Sequence, residues 1–145
     1  MARYTLRAAR IDSELDVERL KRLQLEVFPS DLCIDPEGTD HDTLWWLVLD
    51  GRRAVAFAAL TVTKPLDELT ADLIRCGVVE GYRGLGFQRR LISARIKKAW
   101  ELGLTRINTY TSDRNHVSMS NLVGCGFVVD DSPPEDGFIT WTLTQ

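Results

Sequence analysis

Cysteine and histidine are scarce in this chain. Cys33, Cys76 and Cys125 are odd in number and widely spaced, with no CxxC pair, and His41 and His116 are the only histidines. This pattern excludes a disulfide framework and a zinc cluster of ordinary ligand spacing, and predicts reduced thiols and no metal. No apolar run approaches the roughly 18 residues that a membrane span needs, so no membrane partner is expected. The opening stretch "MARYTLRAARIDSELD" has arginines but no apolar block and soon turns acidic. It reads as neither a secretory leader nor a transit peptide, and the expected compartment is the cytoplasm. An excess of basic charge is missing as well: the net charge of −3 gives no electrostatic footprint for nucleic acid. Repeats, linkers and low-complexity tracts are absent, and 145 residues suit a single domain, 1–145, around one core.

The charges that are present fall in blocks. Residues 83–98 carry Arg83, Arg89, Arg90, Arg95, Lys97 and Lys98 and no acidic residue, whereas 31–42 carry Asp31, Asp35, Glu37, Asp40 and Asp42 and no basic one. A third block adds Asp130, Asp131, Glu135 and Asp136. The default reading of each is a solvated face.

Periodicity orders the elements. "RYTLRAA" (3–9) alternates as a half-buried strand, and Ser13 with Asp16 forms a capping box opening a helix. That helix carries Val17, Leu20, Leu23 and Val27 at spacings of three and four and ends near Pro29. Residues 30–42 read as a polar loop with room for one helical turn. Two apolar runs about Asp50-Gly51 predict an antiparallel hairpin closed by Pro65. "LTADLIRCGVV" (69–79) reads as a central strand buried on both faces. The helix that follows carries Phe87, Leu91 and Ala94 with Ile92, Ile96 and Ala99 beside them, and stops at Gly103. "RINTYTS" is a strand, "NHVSMSNLVGC" a short helix, "FVVDD" a strand stopped by Pro133 and Pro134, and "GFITWTLT" the last strand. The order β α β β β α β α β β predicts a mixed α/β sheet with helices packed on it.

Between the central strand and the second long helix stands "VVEGYRGLGFQRRL", with Gly84 and Gly86 flanked by arginines. A dinucleotide fingerprint fails because its third glycine position is Arg89, and no GxxxxGK[ST] loop is present. The general physics remains: a helix N-terminus offers unpaired N–H groups and the positive end of the macrodipole, and glycine lets an anion approach them.

These residues resemble motif A of the GNAT superfamily of CoA-dependent N-acyltransferases, [Q/R]-x-x-G-x-[G/A], where the fourth strand meets the family's third helix. Arg83 and Gly86 fit it. Gln88 departs from it, standing where glycine or alanine is usual, and its larger side chain either tilts the pyrophosphate or points outward. "NHVSMSNLVGCGF" is similar to the family's second signature through Asn115, Ser118, Gly126 and Phe127. "FPSD" and "SNLVGCGF" are also similar to bacteriophage-encoded members. The resemblance implies a mixed sheet of six or seven strands, splayed between strands 4 and 5 and flanked by about four helices.

It implies roles as well. The amides of Gly84, Leu85, Gly86, Phe87 and Gln88 would hold the pyrophosphate of acetyl-CoA, the co-substrate, with Arg83 and Arg89 as countercharge. Gly77, Val78 and Val79 would face the pantetheine arm on one side, Asn115 and Ser118 on the other. Arg90, Arg95, Lys97 and Lys98 read as a solvated helix face. A lysine-like amine with a pKa around 10.4 is protonated at neutral pH, so attack on the thioester needs a base. Asp72, eleven residues before Arg83, is the candidate, with burial expected to raise its pKa and alternation placing it with Ile74 and Cys76. Glu80 and Asp113 are reserves. Many members place a tyrosine seven residues after the asparagine to protonate the thiolate; here that position is Leu122, which leaves Ser118, Ser120 and Tyr110 as candidate acids.

The acceptor is read as a small-molecule or peptide amine, cationic in view of Asp31, Asp35 and the 130–136 block. Phe28, Trp45 or Trp46 would supply apolar walls. The resemblance thus implies an N-acetyltransferase acting as a monomer or homodimer. The alternative is a degenerate domain that binds acyl-CoA or a protein partner without turnover, and a third reading is an anion-capped helix with no CoA.

Overall fold

The computed structural model describes residues 3–38, 42–63, 69–131 and 136–145, with Thr63 described in its backbone only. The elements are β1 (Tyr4–Ala8), α1 (Glu14–Val27), β2 (Thr43–Asp50), β3 (Arg53–Thr63), β4 (Thr70–Val78), α2 (Phe87–Glu101), β5 (Arg106–Ser112), α3 (His116–Gly124), β6 (Val128–Val129) and β7 (Phe138–Thr144). Their order is the one read from periodicity. The strands form one seven-stranded sheet in the order β1-β2-β3-β4-β5-β7-β6. Among the described residues the helices number three, not the four or so expected. Residues 31–38 form turns instead: Asp35 Oδ1 accepts from the Glu37 amide at 3.0 Å and the Gly38 amide bonds the Asp35 carbonyl at 3.0 Å. Pro36 disfavours helical backbone at Asp35, which fits the turns seen over 31–38. No helix among the described residues is long and apolar enough to cross a membrane. Pro65, His41, Asp40, Pro133, Pro134 and Glu135 lie outside the described residues.

The chain forms two compact units, Met1–Ala59 with Arg75–Phe87, and Leu60–Ile74 with Gln88–Gln145. In the first, β1 pairs antiparallel with β2 from Tyr4↔Asp50 to Ala8↔Trp46. Its core is Val17, Leu20 and Leu23 of α1 with Trp45–Leu49 and Val55–Ala59 of the hairpin. Gly51, with φ 61°, carries the only left-handed conformation in the hairpin turn, so the Asp50-Gly51 pair does not turn with both residues left-handed. Trp45 stacks on Phe57 at 6.4 Å, and Phe28 meets the same ring edge-on at 6.2 Å.

Ser13 caps α1 by accepting from the Asp16 amide at 3.3 Å, but the reciprocal half of a capping box is not formed. The Asp16 carboxylate turns instead to Arg7 (2.7 and 2.8 Å), the Arg10 amide (2.8 Å) and Arg19 (3.0 Å). The Arg7 hydrogen bonds, helped by the Arg10 amide and Arg19 and opposed by burial, hold this carboxyl well below the usual carboxylate range.

In the second unit, β4 and β5 pair in parallel through Thr70↔Arg106, Ala71↔Ile107 and Asp72↔Asn108, and β7 runs antiparallel along all of β5. Beyond those three pairs, the Leu73 carbonyl accepts from Thr109 Oγ1 at 3.1 Å and the Ile74 carbonyl from Arg95 Nη1 at 3.3 Å. Side chains thus take the place of the ladder where it stops. The core gathers Leu91, Ile92 and Ala99 with Ile107, Leu122, Phe127 and Trp141, whose indole N–H donates to Thr111 at 2.8 Å. Arg95 belongs to this interior. It is 2% exposed and bonds the Leu91 carbonyl, which corrects its reading as part of a solvated face.

Two outcomes follow for stability. Asp16→Ala should cost about 3 kcal/mol at pH 7, because it leaves Arg7 and Arg19 without their shared carboxylate. The folded carboxyl titrates below its ordinary value near 3.8, so its contribution is present above that pH and fades as pH falls below it. Urea melts of both proteins at pH 7 and pH 3 should therefore show the gap shrinking in acid. At Gly77 an added Cβ would lie 2.7 Å from Phe57 Cε1 and 2.8 Å from Val27 Cγ1. Gly77→Ala should lose about 1–3 kcal/mol through overpacking, read as a lower urea midpoint at unchanged slope.

Candidate functional site

The turn after β4 is built from glycines in a conformation that other residues adopt at a cost. Gly81, Gly84 and Gly86 have φ of 95°, 79° and 84°, and nothing lies within 4 Å of where a Cβ would stand on any of them. Backbone conformation, not crowding, demands glycine there. Among the described residues the amides of Gly84, Leu85, Gly86, Phe87 and Gln88 have no acceptor within the protein. The first turn of α2 holds no acidic residue, so the positive end of its dipole is not offset locally.

The turn is anchored from below. Tyr82 donates its hydroxyl to Asp50 at 2.7 Å, and its amide bonds the Val79 carbonyl at 3.0 Å. Tyr4 packs edge-on against Tyr82 and Phe87, and the Arg53 guanidinium lies 5.5 Å from the Tyr82 ring. Arg3 and then Tyr82 lower the Asp50 pKa, while the bond to Asp50 raises that of the phenol. This anchor was not read from the sequence. Asp50 was assigned to the hairpin turn, and nothing linear ties position 50 to 82.

Arg83 is exposed, and its Nε donates to the Val78 carbonyl at 3.0 Å. Val79 is committed at both ends, its amide to the Val55 carbonyl at 2.9 Å and its carbonyl to Tyr82. Gly77 is packed against Val27 and Phe57. Arg75 has a φ of 39°, unusual for a residue with a side chain. A left-handed residue interrupts the pleat, so the alternation that grouped Asp72 and Ile74 with Cys76 cannot be carried across it. Asp72 itself is half-buried, opposite Asn108 in the ladder. Glu80 and Asp113 are exposed.

In the second unit Asn115 caps α3, its Oδ1 accepting from the Ser118 amide at 3.1 Å. The Ser118 hydroxyl accepts from Gln88 Nε2 at 2.8 Å, and Asn121 Nδ2 donates to Gln88 Oε1 at 2.9 Å. The departing residue of the glycine motif therefore points at α3. Arg89 does the same, its guanidinium lying where a side chain at Gly124 would collide with it. Ser118, Asn121 and Gly124 continue from Asn115 in steps of three, a spacing visible in the sequence but followed there only as far as Ser118. Leu122 is buried, Tyr110 is 60% exposed and Ser120 is exposed.

The residues assigned to an acceptor have different surroundings. Phe28 and Asp31 come together around Arg75, whose guanidinium lies 5.5 Å from the Phe28 ring, 3.7 Å from the Asp31 carboxylate and 2.7 Å from the Leu32 carbonyl. Gln24, itself buried, exchanges two 2.9 Å bonds with the backbone of Ile34 and fixes the same segment. Asp31 is therefore partly neutralised. Trp45 and Trp46 are 3% and 6% exposed and belong to the core. Asp130 pairs with Arg106 at 3.4 Å, whereas Asp131 and Asp136 are exposed and make no ion pair among the described residues. Among the described residues no group of three metal-capable side chains is found.

Similar architectures occur among solved structures. A chain of the NatC complex bound to Gag peptide and CoA superposes with a TM-score of 0.81 at 16% identity, covering 99% of both chains. PaiA N-acetyltransferase from Thermoplasma acidophilum in complex with coenzyme A gives 0.77 at 15% identity over 100% of both. IAA acetyltransferase from Bacillus cereus gives 0.73 at 16% identity over 98% and 99%. No curated protein matches the sequence. The sequence pattern of the acetyltransferase (GNAT) family matches residues 10–127, and the chain belongs to that family.

Proposed function

We propose that the chain is an N-acetyltransferase that moves the acetyl group of acetyl-CoA to a primary amine. The observation that carries this reading is the run of uncovered amides from Gly84 to Gln88 at the head of α2. Five N–H groups with no acceptor among the described residues, on a turn held open by left-handed glycines, suit a diphosphate better than any smaller anion. The CoA-bound neighbours NatC and PaiA support the choice of ligand. Arg83 supplies countercharge, and the end of β4 at Gly77 and Val78 lines the pantetheine arm.

In the reaction the amine nitrogen forms a bond to the thioester carbon while the carbon–sulfur bond breaks. Asp72 takes the proton that the amine loses, and Ser118 or Tyr110 returns one to the departing thiolate. Leu122, buried, stands where many members keep a tyrosine acid. A thiol with a pKa near 8.5 leaves tolerably without one, so its absence lowers the rate without forbidding turnover. The same residue motivates the second reading, a domain that binds acyl-CoA without turnover.

Thiol release from acetyl-CoA with a panel of primary amines, polyamines, aminoglycosides and peptides tests the proposal. Release with at least one of them supports the enzyme. Thermal stabilisation by CoA without release from any would favour the binding domain, and no CoA binding in calorimetry would overturn both. With a cationic acceptor, Asp131→Asn combined with Asp136→Asn should raise its KM about three- to tenfold at low salt and leave kcat unchanged. The difference should fade as ionic strength rises. An unchanged KM with flat salt dependence would remove the acidic segments from acceptor recognition.

A further inference from the structure

A glutamine in the first turn of a helix is long enough for its side-chain oxygen to reach back to an N–H that lacks a partner, as the glutamine of a capping box does from the third position. Gln88 is the second residue of α2, and the amides it would cap are those assigned above to the pyrophosphate. It does not cap them. Its Oε1 accepts from Asn121 Nδ2 at 2.9 Å and its Nε2 donates to Ser118 Oγ at 2.8 Å, so both ends of the amide are occupied. Ser118 is held in turn through its own amide by Asn115 at 3.1 Å. All three side chains are half-buried, which limits competition from water. Arg89 lies against Gly124 on the same i, i+3 row of α3, so two successive residues of α2 are turned from the helix head.

We propose that Ser118 and Asn121 form a latch that keeps the Gln88 side chain from capping α2, and that Gln88 is thereby a positioning residue for acetyl-CoA binding. This rests on the acetyl-CoA reading above. Where the family pattern keeps the amides bare with glycine or alanine, this chain keeps them bare by giving the glutamine two better partners.

Calorimetric titration of CoA into the full chain tests the latch. Ser118→Ala with Asn121→Ala frees Gln88 to cap the helix and should weaken CoA about tenfold, the worth of two neutral hydrogen bonds redirected. Adding Gln88→Ala removes the competing oxygen and should restore affinity to within about twofold of the parent, since alanine cannot self-cap and favours the helix. If the weakening comes instead from a lost contact of Ser118 or Asn121 with CoA, or from a loosened α3, the triple variant stays as weak as the double and the latch is overturned. A double variant that binds like the parent overturns it equally. Asn121→Ala alone, which removes only the bond to Oε1, should weaken CoA about threefold and recover with Gln88→Ala, which keeps the test decisive if the double variant does not fold. A parent chain that fails to bind CoA defeats the acetyl-CoA reading itself; a parent that binds, with variants that do not differ, defeats the latch alone.

Discussion

Backbone N–H groups at the head of α2 that have no acceptor among the described residues are the constraint to which the proposed chemistry is tied. Among the described residues five amides from Gly84 to Gln88 have no acceptor, and a buried or anion-facing N–H without a partner is costly unless a ligand or water supplies one. Keeping them uncovered requires a turn that directs the amides outward, which the left-handed Gly84 and Gly86 provide. It also requires that no nearby side chain satisfy them, and the Gln88 side chain is bonded to Ser118 and Asn121 instead. The Tyr82–Asp50 bond and the Tyr4–Phe87 contact then hold the turn without adding an acceptor to it.

The strand leading into this turn shows the complementary behaviour. After three ladder pairs with β5, three carbonyls of β4 accept from side chains: Leu73 from Thr109, Ile74 from Arg95 and Val78 from Arg83. A side chain can satisfy a carbonyl without fixing the course of a neighbouring strand. The left-handed Arg75 marks where the pleat of β4 is interrupted. The same arginine gathers Phe28, Asp31 and the Leu32 carbonyl, so the residue that breaks the strand also holds the segment after α1.

Membership of the GNAT family was legible because its signatures lie in short contiguous stretches, "VVEGYRGLGFQRRL" and "NHVSMSNLVGCGF". Each encodes a local backbone requirement: glycine where φ is positive, and an asparagine that caps a helix by accepting from the Ser118 amide. The order of strands and helices was legible for the same reason, since periods of two and three to four residues are local. Misreadings came where a side chain's partner is distant in sequence. Arg95 was assigned to solvent, yet it bonds the Ile74 carbonyl in the interior; Asp16 was assigned to a capping box, yet Arg7 claims its carboxylate. The segment after α1, read as a polar loop with room for a helical turn, forms turns around Pro36 over 31–38.

By itself the sequence determined the run of elements, the glycine turn and the helix cap at Asn115, because each depends on backbone torsions that a few consecutive residues set. Only the tertiary structure decided where Gln88 points, which arginine is buried, and that Asp31 already faces a cation. Those outcomes depend on which donor meets which acceptor across tens of residues, and a linear pattern of residue types does not specify the pairing.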